Sequence, residues 1–139
     1  MHSKLSAHAI YLTKLDHERL TNLVQQEQPA DMSDLIEVLK QELKHAHLVD
    51  SYAVLPDVIT MNSRLKLRAT TNDERYFTLV YPSEANEARE RVSVLTPMGI
   101  AVLGCRLGDQ VRWSTPEGPT SYWIEAVLHQ PEAAGDWVS

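Results

Sequence analysis

At 139 residues the chain fits one or two small domains, and 43% hydrophobic residues give it enough apolar material for a packed core, unlike a disordered tail. A formal net charge of −6 argues against direct nucleic-acid binding, which needs a basic patch, and suits a basic or metal-containing protein partner better. The single Cys105 excludes an internal disulfide, no window approaches the roughly 20 apolar residues that span a bilayer, and Met1 to Ile10 lacks the pattern of a signal peptide, so a soluble cytoplasmic protein is expected.

The period is helical up to about residue 56 and mostly two beyond it. Thr13 with Asp16 has the Ser/Thr-x-x-acid form of a helix start. Leu15, Leu20, Leu23 and Val24 continue an imperfect apolar stripe to about Gln26. Pro29, in Gln28-Pro29-Ala30-Asp31, breaks that helix. Asp31 or Ser33 is expected to cap a second helix, on which Leu35, Ile36, Leu39, Leu43 and Ala46 recur at three-to-four spacing. Two such helices joined by a short turn pack as an antiparallel, coiled-coil-like hairpin. Each helix is about 13–15 residues, so the hairpin extends only about 20 Å.

The expected division is therefore an arm over residues 1–49, a linker over 50–57 and a second domain over 58–139. Within that domain, strands are predicted at Val58 to Met61, Arg64 to Arg68, Tyr76 to Tyr81 and Arg91 to Leu95. Met98 to Leu107 suits a short helix stopped by Gly108. Gln110 to Ser114 and Tyr122 to Leu128 complete the set, with a turn at Pro116-Glu117-Gly118-Pro119 between them. The fold class is α+β: a short helical hairpin, then an antiparallel sheet carrying one short helix.

Candidate chemistry is sparse. Arg64, Lys66 and Arg68 alternate along one strand face, a basic stripe suited to an acidic surface or simply to solvent. His45 and His47 are two apart on an expected helix and so point in different directions, which makes no metal pair. Cys105 reads as a buried structural thiol. There is no Gly-rich phosphate loop, Gly-x-Ser-x-Gly elbow or Cys-x-x-Cys pair, and no cofactor is expected.

Six segments carry a resemblance. Thr96-Pro97-Met98-Gly99-Ile100-Ala101-Val102-Leu103-Gly104, then Leu107-Gly108-Asp109 and Thr115-Pro116-Glu117-Gly118, resemble the C-terminal domain of the Gre transcript-cleavage factors. With Val58 to Arg64, Thr78 to Pro82 and the ending Gln130 to Asp136, the chain from about Ile10 onward is most similar to the regulator of nucleoside diphosphate kinase (Rnk) family within that superfamily. The resemblance implies an FKBP-like domain resting on the rim of the secondary channel of bacterial RNA polymerase, with the helical arm pointing inward. It also implies that Thr96, Pro97, Met98 and Gly99 form the polymerase-contacting corner, because Pro97 turns the chain rigidly and a rigid corner loses little entropy on binding. The plainer alternative is that Pro97 and Gly99 only shape the fold.

Gre factors carry an acidic pair at the tip of a long arm, which helps hold a catalytic magnesium ion in the polymerase. The acids near this chain's turn are Glu27, Asp31 and Asp34, of which the last two also stand where helix-capping acids belong. The shorter arm implies that they fall short of the catalytic centre. The expectation is a monomeric regulator that is no enzyme, excludes the cleavage factors and does not stimulate cleavage. Direct action on nucleoside diphosphate kinase, or a peptidyl-prolyl isomerase suggested by the fold alone, remain as alternatives.

Overall fold

The computed structural model describes residues 9–26 and 28–137. Thr13 begins the first helix as the sequence suggests: its side chain accepts the amide of Asp16 at 3.0 Å, ahead of α1 at Lys14–Gln25. The second helix, α2 at Ser33–His45, starts differently from the expectation. A single 3-10 turn, Ala30–Met32, runs straight into it, Met32 takes the N-cap position, and neither Asp31 nor Ser33 provides a side-chain cap. The turn itself does the work, with the Met32 amide donating to Pro29 O at 2.9 Å. Leu20 and Val24 of α1 and Ile36, Leu39 and Leu43 of α2 are buried, so the two stripes face inward.

Two short strands frame this hairpin. Tyr11–Thr13 (β1) and His47–Val49 (β2) pair in parallel, with Leu12 opposite Leu48. The alternation gave no sign of either. His47 consequently lies in a strand and not on the helix, where it stacks on Tyr11 with ring centroids 5.3 Å apart.

The main sheet has the order β5-β4-β3-β7-β6. Its strands are β3 (Arg64–Ala69), β4 (Glu74–Val80), β5 (Arg91–Ser93), β6 (Gln110–Thr115) and β7 (Gly118–His129). The pairs β3–β4, β3–β7 and β6–β7 are antiparallel, but β4–β5 is parallel, so the sheet is mixed and not wholly antiparallel. Along β3 the period of two is strict: Leu65, Leu67 and Ala69 are buried, and Arg64, Lys66 and Arg68 face outward.

Two expected elements are absent or shorter. Val58 to Met61 forms no strand. Val58 makes only an isolated bridge to Arg106, the Met61 amide is taken by the Asp16 carboxylate, and Asn62 turns the chain with φ +67. The helix after Pro97, α3, ends at Val102 and does not run on toward Leu107. Gly104, at φ +73, is the reason: a Cβ there would lie 2.9 Å from Ile10 Cβ and 3.0 Å from Tyr11 O. The Tyr11 amide donates to Gly104 O at 3.0 Å, so the N-terminal strand occupies the space that a longer helix would need.

One core runs through both parts. Leu12, Leu20, Leu39 and Leu43 belong to the same buried cluster as Ile59, Met61, Leu65, Phe77, Leu79, Ile100 and Ile124. No helix among the described residues is long and apolar enough to cross a membrane.

Candidate protein-docking site

The Thr96 corner is built by hydrogen bonds that close on themselves. The Thr96 hydroxyl donates to Ser93 O at 2.7 Å and accepts the Gly99 amide at 3.0 Å, which makes it the N-cap of α3. Pro97 fills the first helical turn, where its missing N–H costs nothing. Gly99 is buried, and a Cβ at that position would lie 2.3 Å from Ser93 O. The close backbone approach that glycine permits is thus to the chain's own β5 end. Thr96, Pro97 and Met98 are half-buried, with Met98 also packing on the core.

Pro97 and Met98 form one wall of a groove of about 400 Å³, whose other walls come from the β6–β7 hairpin. Its floor is aromatic: Trp113 and Tyr122 stack with centroids 5.2 Å apart and planes 8° from parallel. The Tyr122 hydroxyl donates to Asp73, and Arg75 Nε lies 3.4 Å from that hydroxyl, which fixes the ring and sets a guanidinium at the rim. Pro116 and Glu117 close the far side. Two segments that carry the sequence resemblance thereby border one concavity, through Pro97 and Met98 on one side and Thr115, Pro116 and Glu117 on the other. The sequence reasoning missed Arg75, Trp113 and Tyr122 as lining residues. The only available signal was that Trp113 and Tyr122 flank the turn at nearly equal distance.

At the arm tip Asp31 and Asp34 are both exposed, each in the first turn of its helix, where a negative charge opposes the positive end of the dipole. Glu27 lies outside the described residues. With 12 and 13 residues in α1 and α2, the arm measures roughly 18–20 Å at 1.5 Å per residue.

The root of the arm carries the most perturbed carboxylate. Asp16 is 1% exposed, and its Oδ2 accepts the Met61 amide at 3.0 Å, tying α1 to the sheet domain. Burial pushes its pKa up to about 7; the Met61 hydrogen bond and Arg19 pull it down, while the Glu132 charge adds to the rise. Burial likewise pushes the nearby Tyr81 hydroxyl well above its ordinary range. The Thr60 hydroxyl donates to Glu132 at 2.6 Å, so the C-terminal turn meets the same junction.

The basic stripe finds its acidic surface on its own sheet. Arg68 pairs with Glu74 and Glu125, both at 2.7 Å; Lys66 reaches Glu125 at 3.3 Å and Glu74 at 3.6 Å; and Arg64 pairs with Glu90 at 2.7 Å. Cys105 is buried, with its thiol 3.4 Å from Ala101 O. Among the described residues, no three His, Cys, Asp or Glu side chains converge as a metal site.

Comparisons with known proteins agree with this architecture. The family described as "Transcription elongation factor, GreA/GreB, C-term" matches residues 54–129, and "Rnk N-terminus" matches residues 8–49. The chain is 36% identical over 136 residues to the "Regulator of nucleoside diphosphate kinase" of Escherichia coli K12, covering 96% of this chain and 99% of that protein. It is 28% identical over 90 residues to "Transcription elongation factor GreA" of Clostridium acetobutylicum, which is 64% of this chain and 57% of that longer protein. A solved structure, "Prokaryotic transcription elongation factor GreA/GreB from Nitrosomonas europaea", superposes with a TM-score of 0.71 at 34% identity, over 88% of this chain and 99% of that one. The chain belongs to the regulator of nucleoside diphosphate kinase family, whose second part is a GreA/GreB C-terminal domain.

Proposed function

We propose that this protein is a transcription regulator that docks on bacterial RNA polymerase at the rim of the secondary channel and excludes Gre-type cleavage factors without stimulating cleavage. Residues 58–139 form the FKBP-like docking domain, residues 50–57 the linker, and residues 1–49 a short coiled-coil arm directed into the channel. The protein is a cytoplasmic monomer in this account, touches no nucleic acid and has no active site of its own.

The observation that carries the reading is the groove beside the Thr96–Pro97–Met98 corner. A rigid proline turn, a methionine and a stacked Trp113–Tyr122 pair border one concavity. Aromatic side chains, which have few rotamers to lose, and adaptable methionines are enriched at the buried centres of protein interfaces. Arg75 at the rim adds a cation for an acidic partner residue, which contributes to orientation more than to affinity.

The arm supports the second half of the reading. In this reading the 18–20 Å hairpin, with Asp31 and Asp34 on its tip, is a shorter counterpart of the Gre arm, so its carboxylates stop at the channel mouth. Positioning fails there for lack of reach, since a carboxylate contributes to magnesium binding only at direct ligand distance.

The test replaces Pro97 and Met98 together by alanine and serine and measures binding of the labelled protein to core RNA polymerase by fluorescence anisotropy. The expected result is at least a tenfold weaker complex with thermal stability nearly unchanged. Parallel loss of binding and stability, or no loss of binding, rejects the docking role of this corner.

A further inference from the structure

The groove beside Met98 is lined by one cation and one anion, Arg75 and Glu117, and they come from different parts of the sheet. Arg75 belongs to β4, which β3 and β7 separate from β6. Its Nε is engaged twice, 3.4 Å from the Tyr122 hydroxyl and 3.6 Å from an Asp73 carboxylate oxygen. Tyr122 is only 5% exposed and donates its hydroxyl to that same oxygen, and the Ala69 amide donates to Asp73 O at 2.9 Å, so both supports are themselves fixed. The terminal nitrogens of Arg75 make no hydrogen bond among the described residues, and the side chain is 55% exposed. A guanidinium held through Nε in this way presents a planar fork that matches a carboxylate, with part of its rotamer freedom already lost before binding.

Glu117 lies at the tip of the β6–β7 hairpin, in a turn that the Thr115 hydroxyl closes by donating to Gly118 O at 2.7 Å. It is exposed and forms no ion pair among the described residues. Pro97, Met98, Trp113 and Pro116 supply the apolar surface of the groove. Exposed charges such as these two contribute little to holding a fold together. Beside an apolar groove, their effect falls on whatever enters it.

On the reading that this groove docks on RNA polymerase, we infer that Arg75 and Glu117 determine which polymerase segment it accepts. That segment places an apolar side chain over the Trp113–Tyr122 stack, a carboxylate on the Arg75 fork, and a lysine or arginine against Glu117. A segment entering the other way round sets its acid against Glu117 and its base against Arg75, and like charges reject it. The apolar stack supplies the attraction, and the two charges supply the choice of partner and its direction.

The test measures binding of the labelled full chain to core RNA polymerase by fluorescence anisotropy, from about 50 to about 400 mM salt. At the low-salt end Arg75→Gln should weaken the complex about fivefold and Glu117→Gln about threefold, and both differences should shrink as salt screens the lost attraction. Arg75→Lys should keep the salt dependence of the parent and recover only part of the affinity, since an ammonium is no fork. Arg75→Glu combined with Glu117→Arg leaves the net charge unchanged and reverses the pair, and should weaken binding at least tenfold. Loss by the same factor at every salt concentration marks a structural role and overturns the inference. So does parent-like binding by either neutral variant or by the charge-reversed protein, and in these cases the docking reading stands. A parent chain that fails to bind polymerase overturns both.

Discussion

Asp16 makes the stability of this protein fall as pH rises, which is opposite to the usual behaviour of a carboxylate. Its pKa is 3.8 in an exposed setting and about 7 in the fold, because burial between α1 and the sheet domain removes its water. Between those values the folded state binds more protons than the unfolded chain. Its contribution to stability is therefore fully present below about pH 4, declines through the window from 4 to 7, and is lost above it. A displacement of roughly 3 units corresponds to about 4 kcal/mol at 1.36 kcal/mol per unit. Asp16→Asn keeps an oxygen for the Met61 amide and removes the charge. The Met61 hydrogen bond is already included in that displacement, so the variant should be more stable than the parent by about 4 kcal/mol at pH 8. At pH 4 the two should be nearly equal. Urea unfolding at pH 4, 5, 6, 7 and 8, followed by the emission of half-buried Trp113 and Trp123, measures both curves, and subtracting them cancels every other titrating group. A difference that stays constant with pH, or an asparagine variant weaker than the parent at pH 8, would refute the reasoning.

Two further outcomes follow from the corner and the arm. Gly99→Ala places a methyl 2.3 Å from Ser93 O, a backbone atom that cannot swing aside, and should cost about 3 kcal/mol and roughly 10 °C in melting temperature by calorimetry. Asp31→Asn with Asp34→Asn removes exposed charges that form no cap, and should change unfolding free energy by less than about 1 kcal/mol while leaving transcript cleavage by polymerase at its basal rate.

What the chain disclosed in advance depended on how local each cause is. The β3 alternation from Arg64 to Ala69 and the α2 stripe of Ile36, Leu39 and Leu43 are set by neighbours three or four residues away, so period alone reveals them. Thr13 as a cap was equally readable, but the burial of Asp16 was not, because its partner Met61 is 45 residues distant. Parallel pairing of Tyr11 with His47 joins strands of three residues, too short to show alternation. Val58 to Met61 has strand-forming side chains, yet Asn62 and the claim of Asp16 on the Met61 amide override that propensity. The same division holds at the candidate site. Thr96, Pro97 and Gly99 declare their corner through residue type and spacing. Trp113, Tyr122 and Arg75 join it only through the register of β6 on β7, of β7 on β3 and of β3 on β4.

The central claim is a shared docking place on RNA polymerase, and competition tests it most directly. A labelled GreB-type factor bound to core polymerase is titrated with this protein while transcript cleavage is followed in the same samples. The account predicts displacement of the labelled factor together with a fall of cleavage to the basal rate. Retention of the labelled factor at saturating concentrations of this protein, or cleavage that rises as it is added, would contradict it.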